Sequence, residues 1–293
     1  MEYTVRHQTK YRYLQNVSYS CHLAHLTPRA TPVQRVEAAG INISVPVARR
    51  HAIVDYFGNT AEWFAVDQQH AVLEIVSHSR VQVAPPAALA AEQSLPWEEV
   101  HAQMEQEHGA EAREAIQYLF DAPLSAPNAG IAAYAAQSFP RKRPILAGAL
   151  DLMHRIHKDF RYDTTVTDAA TPVERVFEMR SGVCQDLAHM GIASLRALGL
   201  PGRYVSGYLL TKPPPGKPRL LGADASHAWF SVWAPPFGWV DLDPTNDMRP
   251  GEGHVTVAWG RDYSDIAPIN GIVTGGGDHI VEVGVDVVPV DEA

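Results

Sequence analysis

The cysteine at position 184 stands at the mouth of an apolar helix, in GVCQDLAHMGIASLRALGL, residues 182–200. A thiol in the first turn of a helix meets unsatisfied backbone N–H groups and the positive end of the helix dipole, both of which favour the thiolate. The same N–H groups suit the oxyanion of an acyl-transfer intermediate. Ser181 is positioned to cap this helix, while the carboxylate of Asp186 works against thiolate formation, so a basic partner is required. Fourteen histidines compete for that role. His189 lies five residues along the same helix, about 500° around its axis, and points away from the thiol. His154 and His157 fall on a helix with a charged face and read as partly solvated, and His254, just before VTVAW, reads as structural. His227 differs in its company: it opens SHAWFSVWA and is followed sixteen residues later by Asp243, in GWVDLDPT. Two adjacent strands joined by the turn APPFG can set imidazole and carboxylate side by side, the carboxylate accepting from one ring nitrogen while the other faces Cys184. Strand periodicity alone leaves Asp241 and Asp243 equivalent, because residues two apart share a face.

The elements that must hold these residues divide the chain in two. Residues 1–88 carry short β-rich runs at roughly ten-residue spacing, among them YTVRHQTKYRYL, VSYSCHLAHLTPR and AVLEIVSHSRVQV, broken by Pro and Gly; they predict an antiparallel β-sandwich. Pro85–Pro86 closes them, and residues 89–293 form the second unit. Its first part is helical in texture, with WEEVHAQMEQEH, GIAAYAAQSF and PILAGALDLMHRIHKDF ahead of the Cys184 helix. The Cys184 helix places Leu187, Ala188, Gly191, Ile192, Leu195 and Leu198 at three- and four-residue steps and stops at Gly199 and Pro201. RYVSGYLL, SHAWFSVWA and GWVDLD follow as strands. The proline-rich loop from Lys212 to Ala225 reads as a connection or a lid entering at His227. The tail HIVEVGVDVVPV is a strand that returns to one sheet or the other, and Gly275–Gly276–Gly277 is not a phosphate loop, since neither lysine nor helix follows it.

Composition narrows the partners. The net charge is −9, with 24 basic and 33 acidic residues and no basic block, which argues against nucleic acid or an anionic membrane. No run of about 18 apolar residues predicts a membrane span, and the charged, alternating start is unlike a secretory signal, so the expected compartment is the cytoplasm. With only Cys21 and Cys184, no disulfide is expected, and Cys21 reads as a small buried hydrophobe in a strand. Neither CxxC nor HExxH occurs, so no metal or other cofactor is expected.

GVCQDLA, SHAW and GWVDLDPT, in this order, resemble the three signature segments of the transglutaminase-like superfamily of papain-like fold. The β-rich start and the tail GRDYSDIAPINGIVTGGG, residues 260–277, resemble the bacterial members. The resemblance implies an α+β fold whose nucleophile helix packs on an antiparallel sheet, with a Cys-His-Asp triad carried by Cys184, His227 and Asp243 and with Asp241 a bystander. It implies amide chemistry through a thioester on a peptide or protein substrate, by hydrolysis or by acyl transfer from glutamine to an amine. A non-catalytic binding protein that keeps the fold is the third reading. Gln185, beside the thiol, and Trp239, near the triad, are further candidates for oxyanion or substrate contact.

Overall fold

The computed structural model describes residues 1–106, 109–211 and 225–290, and nearly all of the loop read as a connection or lid lies outside them. The N-terminal strands are β1 (Glu2–Ala24), β2 (Gln34–Ile43), β3 (Arg49–Val54), β4 (Thr60–Val66) and β5 (His70–Val83). Helices α1 (Trp97–Gln106), α2 (Ala110–Ile116), α3 (Ala129–Ala136) and α4 (Ile145–Asp159) follow. Then come β6 (Arg161–Tyr162), α5 (Val173–Met179), β7 (Ser181–Gly182) and α6 (Cys184–Arg196). The chain ends with β8 (Gly202–Leu209), β9 (Ala225–Trp233), β10 (Trp239–Leu242), β11 (His254–Gly260), β12 (Ile269–Gly275) and β13 (His279–Pro289).

The expected α+β architecture is present. Its N-terminal layer is one antiparallel sheet of order β2-β5-β1-β4-β3, curled about β1, with β12 and β13 also paired to β1. The two runs read separately at the start of the sequence form a single 23-residue strand. Its register against β5 shifts between Arg12 and Val17, which lets one strand serve two halves of the sheet. The first half pairs with β5 and β13, the second with β4 and β12. The tail therefore returns to the N-terminal sheet. Gly275, Gly276 and Gly277 make the turn between β12 and β13 with φ of 88°, 82° and 61°, a left-handed run that side chains resist.

The second sheet, β10-β9-β8-β11, is antiparallel and carries α6 on one face. Every α6 residue after Cys184 is buried, which matches a helix enclosed by α3, α4, α5 and the sheet. Leu187, Ile192 and Leu195 are each at most 2% exposed, and burial of such a side chain contributes about 1.5–3 kcal/mol. Gly191 lets the helix approach β9, since a Cβ there would stand 2.5 Å from the Phe230 ring. At the helix end the buried Arg196 guanidinium donates to the carbonyls of Tyr118 (2.8 Å), Gly202 (3.0 Å) and Arg261 (2.7 Å), fixing the last turn.

The two sheets are joined at β11. Gln34 donates to the Thr256 carbonyl at 2.7 Å and accepts from the Thr256 N–H at 2.8 Å. Asn59 does the same to Trp259, at 2.8 and 3.0 Å. Side-chain amides thus stand where a further strand would pair with β11. Among the described residues no helix is long and apolar enough to cross a membrane.

Candidate active site

The mouth of α6 is shaped by Asp186 rather than by Ser181. Asp186 Oδ2 reaches back to accept from the Val183 N–H at 2.7 Å and from the Thr167 hydroxyl at 2.7 Å, while Ser181 donates its hydroxyl to the Arg161 carbonyl. This is half of a capping box. Gly182 makes room for it: a Cβ on Gly182 would lie 2.5 Å from Asp186 Oδ2. The GVC segment thereby presents Cys184 in the first helical turn, with the carboxylate committed to the backbone. Burial raises the pKa of Asp186, against the hydrogen bonds from Thr167 and Val183, which lower it.

Strand β9 brings His227 to the same place, and its ring hydrogen-bonds the Cys184 side chain. His227 Nε2 lies 2.7 Å from Asp243 Oδ2, so Nε2 is the donor to the carboxylate and Nδ1 is left for the thiol. Burial alone would lower the His227 pKa; hydrogen bonds to Asp243 and Cys184, with their charges, outweigh it and push it up to about 10. Asp243 is held below the usual carboxylate range: burial would raise it, but the hydrogen bonds from His227 and His254 prevail.

Asp241 and Asp243 are equivalent by strand periodicity, and the structure separates them because β10 ends at Leu242. Asp243 makes an isolated bridge with Met248, whereas Asp241 accepts from the Ser231 hydroxyl on the strand proper. The Asp243 carboxylate collects more donors than His227 alone supplies. Oδ1 accepts from the N–H of Thr245 (3.0 Å) and Asn246 (3.3 Å), and Oδ2 also accepts from Asn246 Nδ2 at 2.7 Å and from His254 Nε2 at 3.1 Å. The Asn246 contacts follow the turn chemistry of Asp-Pro-Thr-Asn and are a signal the sequence carries. His254, read as structural, stands on the same carboxylate, and no local pattern announces it.

His227, Asp243 and His254 also form a group whose ligand atoms lie within 4.8 Å of one another, close enough for a metal ion. The hydrogen bonding disfavours that use. The Gly251 N–H donates to His254 Nδ1 at 3.2 Å, so the ring proton of a neutral His254 is on Nε2, where it is given to Asp243. Both imidazoles offer N–H groups, not lone pairs, to the shared oxygen.

A cavity of about 320 Å³ opens over the thiol, lined by Cys184, Gln185, Tyr204 and His227 from the second unit and by His7 and Val283 from the N-terminal sheet. Gln185 is in its wall, with its amide nitrogen donated to the Ala169 carbonyl at 3.1 Å. Tyr204 is buried, which raises its pKa well above the ordinary value, with Cys184 adding to the effect, so the hydroxyl keeps its proton. Trp239 is elsewhere: it lines a separate cavity, against Tyr118 at 5.0 Å between ring centroids and the Arg203 guanidinium at 4.4 Å. His189 accepts from the Tyr263 N–H, His154 pairs with Asp247 and His157 faces the carbonyls of Pro244 and Thr245.

Known proteins share this organisation. Residues 3–82 match the bacterial transglutaminase-like N-terminal region and residues 132–244 match the transglutaminase-like superfamily. An uncharacterized Mycobacterium tuberculosis protein is 40% identical over 99% of this chain and 93% of its own length. A Pseudomonas aeruginosa protein-glutamine gamma-glutamyltransferase is 36% identical over 99 residues, 32% of this chain and 14% of that protein. The structure of a candidate cysteine protease from Cytophaga hutchinsonii overlays with a TM-score of 0.77 at 19% identity, covering 99% of this chain and 91% of that one, and shares the fold. With one matching segment over the N-terminal strands, a second from residue 132 to 244, and a relative 40% identical over nearly all of the chain, the protein belongs to the transglutaminase-like superfamily, in the bacterial form that carries the N-terminal region.

Proposed function

We propose that the protein is a cysteine-dependent enzyme that acts on amide bonds of peptides or proteins through a thioester acyl-enzyme, with Cys184 as nucleophile, His227 as general base and acid, and Asp243 as the group that orients His227. The observation that carries this reading is the hydrogen-bonded series from the Cys184 side chain through His227 to Asp243 at 2.7 Å, begun in the first turn of a buried helix. His227 Nδ1 takes the thiol proton, sulfur bonds to the amide carbon, and the resulting oxyanion is met by the backbone N–H groups of the helix mouth. The C–N bond then breaks as the imidazolium gives its proton to the departing amine. Water, or a second amine, adds to the thioester while His227 accepts its proton, and the acid or new amide leaves as the thiol is restored.

Hydrolysis is the leading outcome. Transfer from a glutamine side chain to an amine is the second, favoured by the local similarity to the gamma-glutamyltransferase. Two measurements test the proposal. Iodoacetamide is expected to alkylate Cys184 faster than Cys21, and His227→Ala to slow that reaction by about 10-fold or more; equal, slow labelling of both thiols would refute it. On a panel of glutamine peptides, free acid identifies a hydrolase and incorporated amine a transferase.

A further inference from the structure

The thiol cavity does not end at the second sheet. Its far wall is made of β1, β12 and β13, and two of those residues, Tyr11 and Ile269, also line a neighbouring cavity of about 420 Å³ on the N-terminal sheet. The two cavities adjoin at these side chains, and the second continues the first along the N-terminal sheet. Beyond Tyr11 it is lined by Tyr13, His22, Val273 and His279. Tyr11 and Tyr13 stack at 6.1 Å between centroids, and His279 lies 5.9 and 5.7 Å from them. His22 is 4% exposed, and its Nε2 is buried without a hydrogen-bond partner. Among the described residues no Asp, Glu, Lys or Arg lines either cavity, in a chain of which 19% is charged. The histidines on the β1 wall do not restore charge, since burial lowers His7 and His22 to about 4, with His70 adding to the effect at His22.

We propose that the N-terminal sheet is the specificity element of the enzyme: the cleft from Val283 through Tyr11 to Tyr13 and His22 receives an extended, uncharged peptide stretch, rich in aromatic or aliphatic side chains, that leads away from the amide held at Cys184. The inference rests on the proposed role of Cys184, because adjacency to the thiol cavity is what identifies the occupant. Ring faces at Tyr11, Tyr13 and His279 suit flat or branched apolar side chains, and a charged one would lose its hydration beyond Tyr11, where no Asp, Glu, Lys or Arg among the described residues lines the cleft. From His7 to Tyr13 the strand runs about 20 Å, the span of roughly six extended residues. Val281 and Val283, 46% and 57% exposed, continue the apolar lining at its open side.

Binding is measured on the full chain carrying Cys184→Ala, by fluorescence anisotropy with labelled glutamine hexapeptides whose other residues are Phe and Leu, or Lys, or Glu. The Phe/Leu peptides are expected to bind at least about 10-fold more tightly than the charged ones. Tyr11→Ala should abolish that preference and Tyr11→Phe keep it. Val283→Lys, at an exposed position that leaves folding undisturbed, should improve binding of the Glu peptide at the expense of the Lys peptide. Equal binding of all peptides, a preference indifferent to Tyr11→Ala and Val283→Lys, or light scattering that shows the cleft covered by a second copy of the chain would overturn the inference. Alkylation of Cys184 in the unmodified protein is read separately: peptide preference with an inert thiol would leave the cleft standing and remove the proposed chemistry, and the converse would do the opposite.

Discussion

Each sheet of this protein encloses a histidine that water barely reaches: His22 in the N-terminal sheet is 4% exposed and His227 in the second sheet 6%. Burial pulls both toward the neutral ring. His22, stacked on Phe64 with its Nε2 unpartnered and His70 nearby, is lowered to about 4. His227, between Asp243 and Cys184, is raised to about 10. The comparison teaches that burial sets the cost of the charge, while a carboxylate within hydrogen-bond reach determines whether the charge is kept. The N-terminal sheet is thus arranged to hold neutral surfaces, and the second sheet to hold an ion pair.

The strongest attack on this contrast is Asp243→Asn, which preserves shape and removes the charge. It is expected to lower kcat/KM by about 10³–10⁴-fold and to lower the His227 pKa, followed by NMR of the imidazole, from about 10, leaving only Cys184 to oppose burial. A His227 that stays near 10 in this variant would break the comparison.

The pH dependence of stability, measured as urea midpoints between about pH 3 and 11, separates the two regions. The His227 contribution is complete below pH 6.5 and is lost as the pH rises through about 10. The Asp243 contribution is present above 3.8 and fades as the pH falls further. For His22 and His7 the sign is opposite: between pH 6.5 and about 4 the unfolded chain takes up protons that the folded rings refuse, so stability falls on acidification. His22→Phe should flatten the acid flank and leave the alkaline flank unchanged.

The smallest expected effect sharpens the contrast within the second sheet. His254→Gln removes one donor from Asp243 and should lower kcat/KM by only about 10-fold, with a modest shift of the His227 imidazole pKa. A purely structural His254 would alter the unfolding midpoint and leave that pKa in place.

How much could be read from the sequence follows from the range of the forces involved. The helix of Cys184, its apolar spacing and its stop at Gly199 and Pro201 are local, as are the strands that carry His227 and lead to Asp243. What escaped was non-local or lay at element ends. The cap of α6 passes from Ser181 to Asp186 because Gly182 admits a carboxylate that periodicity does not register. Trp239, near Asp243 in sequence, packs on Tyr118 and Arg203 and lines a cavity other than that of the thiol. His254 meets Asp243 only because the chain beyond residue 243 turns back into β11 next to β8. The return of β12 and β13 to β1 joins residues 245 or more apart, beyond any pattern of short spacing.

The amides of Gln34 and Asn59 on β11 carry a mechanical consequence. Four hydrogen bonds, each side chain both giving and accepting, bolt the two sheets together along what would otherwise be a naked strand border. Foreign strands find that border occupied. The wall of the thiol cavity supplied by β1 is tethered through the same bolts to the layer that carries His227, so loosening the N-terminal sheet would also loosen the geometry around the sulfur.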